Sequence, residues 1–142
     1  MFTSPSPSGA CSFSEGGTIL VVASNSYTGR DVSEIVRLAG YSVDIVPETT
    51  NWTEMPLNAE LMILIGSDRQ WIEHICSELR RRAPTLLLVV LGPDDVKTKV
   101  RLFEIGADAY LVEPFAPAEL LATIAALIRG WKRVYSMTNL PP

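Results

Sequence analysis

The residues that could do chemistry in this chain gather just after its short apolar runs. Ser24-Asn-Ser-Tyr-Thr-Gly29 follows one such run and precedes a helical pattern. Hydroxyls at a helix N-terminus suit a phosphate, although Asp31 sets a carboxylate against any anion held there. The same residues also serve as a polar β-to-α turn with N-capping side chains. Phosphoryl transfer onto a carboxylate needs a nucleophilic Asp, a Mg²⁺ held by further carboxylates, and cations or hydroxyls around the developing charge. Asp68 follows the run ending at Ile65 by three residues, a reach of about 10 Å in extended chain. Asp94 and Asp95 read as carboxylates favouring a helix N-terminus. His74 is the only histidine. It leaves no basis for a His-rich metal cluster or a Ser/His/Asp triad, and reads as a partly exposed helical residue. No catalytic residue, metal or cofactor is expected, and so no enzyme.

The elements that must position these residues belong to one domain. The chain has 142 residues, 47 % hydrophobic and 20 % charged, a globular composition. Its 12 Lys+Arg and 16 Asp+Glu leave a net charge of −4, and no basic stripe argues for direct nucleic-acid contact by this segment. Arg80-Arg81-Arg82 falls where a helix should end, and cations favour the last carbonyls there. Cys11 and Cys76 give no disulfide framework, as in a reducing compartment, and Cys76 reads as a small buried hydrophobe. Trp52, Trp71 and Trp131 share no spacing and read as core or interface residues. No stretch approaches the ~20 apolar residues of a membrane span. Residues 1–17 carry no signal-peptide pattern. A cytoplasmic location is expected.

Residues 1–17, rich in Ser, Pro and Gly, are expected to form a disordered arm. Thr18-Ile-Leu-Val-Val22 is a continuous β-branched run, the mark of a parallel strand covered on both faces. From Gly29 the spacing turns helical, with Val32, Ile35, Val36, Leu38 and Ala39 on one stripe and Gly40 as its end. Ser42–Val46 alternates, as a strand near a sheet edge does. Pro47–Asn58 allows at most one helical turn around Trp52 and Met55. Glu60–Ile65 predicts a third strand, and Trp71, Ile72, Ile75, Cys76 and Leu79 a second helical stripe. Leu86–Leu91 predicts a fourth strand. Pro93 suits the first turn of a third long helix, with Val96, Val100, Phe103 and Ile105 as its apolar positions and Gly106 as its end. Ala109–Val112 predicts a fifth strand. A last helix follows from Pro117 to about Trp131 through Leu120, Leu121, Ile124, Leu127 and Ile128. Residues 134–142 are expected to be a C-terminal tail or linker. Strands alternating with helices predict an α/β fold over 18–133, a five-stranded parallel sheet, doubly wound. Its ligands would sit beyond the carboxyl ends of the strands.

Gly92-Pro-Asp-Asp, followed by Arg101-Leu-Phe-Glu-Ile-Gly-Ala-Asp-Ala-Tyr-Leu-Val-Glu-Pro-Phe-Ala-Pro-Ala-Glu-Leu-Leu121, resembles the C-terminal half of bacterial response-regulator receiver domains. Those read A-R-D-D … G-A-D-D-Y-L-x-K-P-F-x-P-x-E-L. Ile19–Val22 resembles their first strand and Glu60–Leu64 their third, in order from Thr18 to Lys132. The resemblance implies a (βα)5 flavodoxin-like, receiver-like fold and a role in two-component or phosphorelay signal transduction. Carried over by position, the acidic pair that holds Mg²⁺ falls on Ala23 and Ser24. The phosphoacceptor Asp falls on Ile65, the phosphate-closing Thr/Ser on Leu91, and its Lys partner on Glu113, a reversed charge. The resemblance is therefore to an atypical, pseudo-receiver type lacking the phosphorylation site. Tyr110 matches the switch aromatic of the family, and reads equally as a strand aromatic packed on the last helix. Glu113-Pro114 matches a bond that is typically cis in receivers.

Many receivers dimerise through their fourth helix, fifth strand and fifth helix, especially those joined to winged-helix DNA-binding domains. Lys99 and Glu119 match one cross-dimer ion pair there, and Asp108 an acidic partner. Ala109, Thr123 and Gly130 stand where an acid and two Arg would be expected. Exposed ion pairs contribute little each, so a homodimer through this face is still expected, with Thr123 and Leu127 on the unusually apolar last helix. The function expected is signalling by protein–protein contact or dimerisation, regulating an attached or partner effector such as a DNA-binding transcription regulator. One alternative is a stand-alone adaptor. A remote one is a flavodoxin-like FMN-binding protein, because Ser24–Gly29 resembles the Ser/Thr-x-Thr-Gly phosphate loop of that group. The purified protein is expected to be colourless; a flavin absorption band would favour the FMN alternative.

Overall fold

The computed structural model describes residues 18–24, 26–46 and 59–138, and only the backbone of residues 26, 27 and 131–138. The expected N-terminal arm, the turn around Trp52 and residues 139–142 lie outside the described residues. The strands are β1 (Thr18–Ala23), β2 (Ser42–Val46), β3 (Leu61–Ile65), β4 (Leu87–Gly92) and β5 (Ala109–Val112), and the helices α1 (Ser26–Leu38), α2 (Arg69–Arg82), α3 (Val96–Ile105) and α4 (Pro117–Thr138). All strand pairs are parallel, in the order β2-β1-β3-β4-β5. This is the doubly wound flavodoxin-like sheet that the alternating pattern predicts.

The burial explains the composition. Every residue of β3 and β4 is buried, because these central strands are covered on both faces. One face packs Leu20, Val22, Met62, Leu64, Leu88 and Val90 against Ile72, Ile75, Cys76 and Leu79 of α2 and Leu102 of α3. The other packs Ile19, Val21, Ile63, Ile65, Val89 and Leu91 against Val32 and Val36 of α1 and Leu120, Ile124 and Ile128 of α4. The edge strand β2 is mostly exposed, in keeping with its alternating sequence.

Local chemistry sets the helix ends. At the end of α1, Tyr41 N–H donates to Val36 O (3.4 Å) and Gly40 N–H to Arg37 O (3.0 Å). With Gly40 at φ +103°, this is a Schellman closure. Asp68 caps α2, its Oδ1 accepting from Gln70 N–H at 3.0 Å. Gly106, at φ +135°, ends α3. Three expectations shift. Helix α1 starts at Ser26, so Ser26–Gly29 is helix rather than a phosphate loop, and Gly29 is buried with its Cα side close to Ala23. Pro93 lies ahead of α3, which begins at Val96 after an extended Asp95. Helix α4 runs past Trp131 to Thr138, since an interior glycine such as Gly130 costs only about 1 kcal/mol.

Helix α3 turns most of its apolar positions outward: Val96, Val100 and Phe103 are 72 %, 50 % and 44 % exposed. The buried side is Thr98 and Leu102, with Ile105 half-buried against the core. The helix thus carries two apolar stripes on opposite sides, and the core takes the one containing a threonine. Thr98 can be buried because its Oγ1 donates to Asp95 Oδ2 at 2.6 Å.

Arg80 does more than offset a helix dipole. Its Nη1 donates to Pro84 O (2.9 Å) and Leu86 O (2.7 Å), and its Nη2 to Gly106 O (2.7 Å) and Asp108 Oδ2 (3.1 Å). Asp108 Oδ2 also accepts from Leu88 N–H at 2.8 Å. One planar guanidinium therefore joins the end of α2, the approach to β4 and the α3–β5 turn, a geometry that a lysine cannot reproduce. Gly106 leaves room for it, since a Cβ there would lie 2.8 Å from Arg80 Nε. Arg80→Ala should destabilise the domain by about 2–3 kcal/mol, and Arg80→Lys should recover only part of that. Urea unfolding checks this: the midpoint falls with an unchanged slope.

Candidate functional site

The carboxyl ends of the strands are where a doubly wound sheet places its ligand, and the register brings the sequence-predicted positions together. Ala23 pairs with Ile65, Ile65 with Leu91, and Leu91 with Leu111. Backbone bonds continue the stitching, from Ser24 N–H to Ile65 O (3.0 Å), Gly66 N–H to Leu91 O (3.1 Å) and Glu113 N–H to Gly92 O (2.8 Å). Ile65 is 2 % exposed, Leu91 is fully buried, and both belong to the core face under α1 and α4, against which Ala23 also packs. Ser24 is exposed.

Beyond Ile65 the backbone is covered by an indole. A Cβ on Gly66 would lie 2.9 Å from Cε3 and Cζ3 of Trp71, so the half-buried Trp71 ring rests directly on the glycine. Asp68, further along, is occupied in capping α2. Among the described residues no three His, Cys, Asp or Glu side chains stand close enough to share a metal ion. The row offers buried alkyl groups where phosphoryl chemistry needs a nucleophile and counter-charges. His74 is exposed on α2. Cys76 is a free, fully buried thiol that burial pushes up to about 11.

Glu113 follows β5 and precedes the cis bond to Pro114. Partial burial raises its carboxyl above the ordinary value. Tyr110, read either as a switch aromatic or as a strand aromatic packed on the last helix, lies on the α2–α3 face of the sheet and not against that helix. It is 6 % exposed, and its hydroxyl donates to Pro93 O at 2.8 Å. Burial, helped by Asp95, Glu113 and Asp94, pushes its phenol up to about 12.

The expected contact residues lie on α3, β5 and α4, with unequal roles. Lys99 and Glu119 are exposed and make no ion pair within the described residues. Thr123 Oγ1 donates to Glu119 O at 2.8 Å, and Leu127 is half-buried against the core. Asp108 is held within the chain by Arg80 and Leu88. Arg101 turns toward α2, 3.5 Å from Glu73, which Arg69 also binds at 2.7 Å. Sequence reasoning missed the outward stripe Val96, Val100 and Phe103, although its spacing of four and three was itself a signal. It also missed Arg80, which its place in a basic run disguised.

The raised Glu113 carboxyl has a definite pH signature. A carboxyl whose folded pKa exceeds its unfolded one binds more protons when folded, so its charging opposes folding as pH rises through the window between the two. Glu113→Gln should therefore be more stable than the wild type at neutral pH, with the difference closing in acid below the ordinary carboxyl range. Denaturant midpoints measured across pH check this.

No protein-family model matches the chain. It is similar to the transcriptional regulatory protein CusR of Escherichia coli K12, 32 % identical over 117 residues, which cover 78 % of this chain and 51 % of CusR. It is similar also to the probable transcriptional regulatory protein SilR of Salmonella typhimurium, 34 % identical over 117 residues, covering 78 % of this chain and 50 % of SilR. The chain spans about half the length of the curated relatives it matches. Among solved structures, the CheY-like response regulator receiver domain protein from Methanospirillum hungatei superimposes with a TM-score of 0.72 at 18 % identity, over 82 % of this chain and 97 % of that one. With the sheet order and register above, the chain has the fold of a response-regulator receiver domain.

Proposed function

We propose that this receiver domain is a pseudo-receiver, which signals through protein–protein contact on the outer face of α3, β5 and α4 without aspartyl phosphorylation or a catalytic step of its own. The observation that carries the reading is the row Ala23, Ile65 and Leu91, apolar and closed into the core where the family's carboxylates and hydroxyl would stand. Trp71 over Gly66 supports it by filling the space next to the acceptor position. A receiver so filled takes its conformational bias from packing or from a partner.

The contact face is supported by the outward stripe of α3. Val96, Val100 and Phe103 are large, exposed and in line; Lys99, on the same helix, and Glu119, at the start of α4, are exposed and make no ion pair among the described residues. A stable dimer buries about 800 Å² per partner, more than three side chains supply, so the outer side of α4 with Thr123 and Leu127 contributes too. The regulated element is an effector such as a DNA-binding transcription regulator, in keeping with relatives that are transcriptional regulatory proteins about twice as long as the matched segment. This segment itself contacts protein rather than nucleic acid, in the cytoplasm.

Light scattering tests the contact face. The wild type should show a concentration-dependent dimer. Phe103→Glu should weaken it roughly tenfold or more, the usual cost of losing an aromatic anchor. Lys99→Glu should weaken it less, and Glu119→Lys in the same chain should restore part of the loss. An association indifferent to all three contradicts the reading. Ile65→Asp tests the rim: it should cost about 3 kcal/mol or more by burying an unpaired carboxylate, and should create no phosphoacceptor.

A further inference from the structure

We propose that α2 is a lever between the ligand end of the sheet and α3: the Trp71 indole, wedged over Gly66, fixes the start of α2, and Glu73 carries that position to α3. The lever rests on geometry alone; its consequence for signalling rests on the reading of the α3 stripe as a contact surface. Gly66 is buried just beyond β3, and its backbone is not in the left-handed region that favours glycine. Close approach of another group is the remaining reason for a glycine there. A Cβ on it would lie 2.9 Å from Cε3 and Cζ3 of Trp71 and 3.3 Å from Ile72 Cγ1. Neither neighbour yields cheaply, since the first two atoms belong to a rigid fused ring and Ile72 is fully buried. Both sit in the first turn of α2, whose entry is fixed by Asp68: its Oδ1 accepts from Gln70 N–H and its carbonyl from Ile72 N–H, each at 3.0 Å. A methyl at position 66 would therefore displace the indole or the first turn of α2.

Two residues beyond Trp71, Glu73 divides its carboxylate between two helices. Its Oε2 accepts from Arg69 Nε at 2.7 Å, and its Oε1 lies 3.5 Å from Nε of Arg101 on α3. Arg101 also stands 3.9 Å from Glu104 on its own helix. The Glu73 side chain is 23 % exposed, so water and salt screen this bridge less than they screen a fully exposed pair. A path of contacts thus runs from the exit of β3, through the indole and the first turns of α2, to the middle of α3. The half-buried Trp71 ring is the point at which a partner at the ligand end acts on α3 without any phosphoryl group.

Amide hydrogen exchange in α3, read against exchange at the start of α2, tests the lever. Gly66→Ala should speed exchange at residues 70–73 and also across α3, the latter about two- to fivefold, with the amides of β1 unchanged. Arg101→Gln should speed α3 alone. In the Arg101→Gln background, Gly66→Ala should still act on residues 70–73 and no longer on α3. An equal effect of Gly66→Ala on α3 in both backgrounds, or none in either, overturns the lever. Should Gly66→Ala fail to fold, salt decides. Added salt should speed α3 exchange in the wild type by screening the bridge, and should not do so in Glu73→Gln; the same salt response in both overturns the lever. Light scattering on the same variants separates the two readings. Faster α3 exchange with unaltered self-association keeps the lever and contradicts the contact-face reading, and lost association with unaltered exchange overturns the lever.

Discussion

Burial of a parallel sheet on both faces is the constraint from which the rest follows. In β3 and β4 it continues to the last residue of each strand, so the core extends into the rim where this fold usually places polar function. Ala23, Ile65, Leu91 and Leu111 stand side by side in register, and each adds to the apolar row its neighbours need. A carboxylate in that row would face a low-dielectric environment without a counter-charge, at a cost of several kcal/mol. Trp71, resting on Gly66, extends the same dry surface over the adjoining loop.

With the rim closed, polar organisation moves to two other places. At the amino end of the sheet, Arg80 gathers the carbonyls of Pro84, Leu86 and Gly106 and the carboxylate of Asp108. At the carboxyl end, Pro93 O receives both Tyr110 and Asp95. Both networks bear on α3, one at the turn that leaves it and one at the turn that enters it. The helix is thereby held at each end while its outer stripe stays exposed. A rigid mount for an apolar surface suits recognition, because little ordering cost remains to be met on binding.

Most of the fold was legible in the sequence, because β-branched runs, glycine stops and helical stripes all report burial directly. The five strands fall within a residue of their expected bounds, and the row of rim positions follows from the family pattern. The errors share one physical origin: hydrophobic spacing shows that a stripe exists without showing what covers it. In α3 the apolar positions Val96, Val100 and Phe103 face outward, while the core takes Thr98, whose hydroxyl finds Asp95. Asp108 and Arg80 could not be paired from sequence, since 28 positions separate them and only the folded turns bring them together. Ser26–Gly29 looked like a loop because hydroxyl residues favour caps and glycine is a poor helix former, yet α1 begins at Ser26, with Gly29 packed closely on Ala23.

The claim that the rim no longer receives a phosphoryl group is open to a direct solution measurement. Amide shifts of Ser24, Gly66 and Gly92 can be followed by NMR while Mg²⁺ and then beryllofluoride are added. Shifts that stay flat, or drift without saturating, are the predicted result. A saturable, Mg²⁺-dependent response at those three amides would contradict the account.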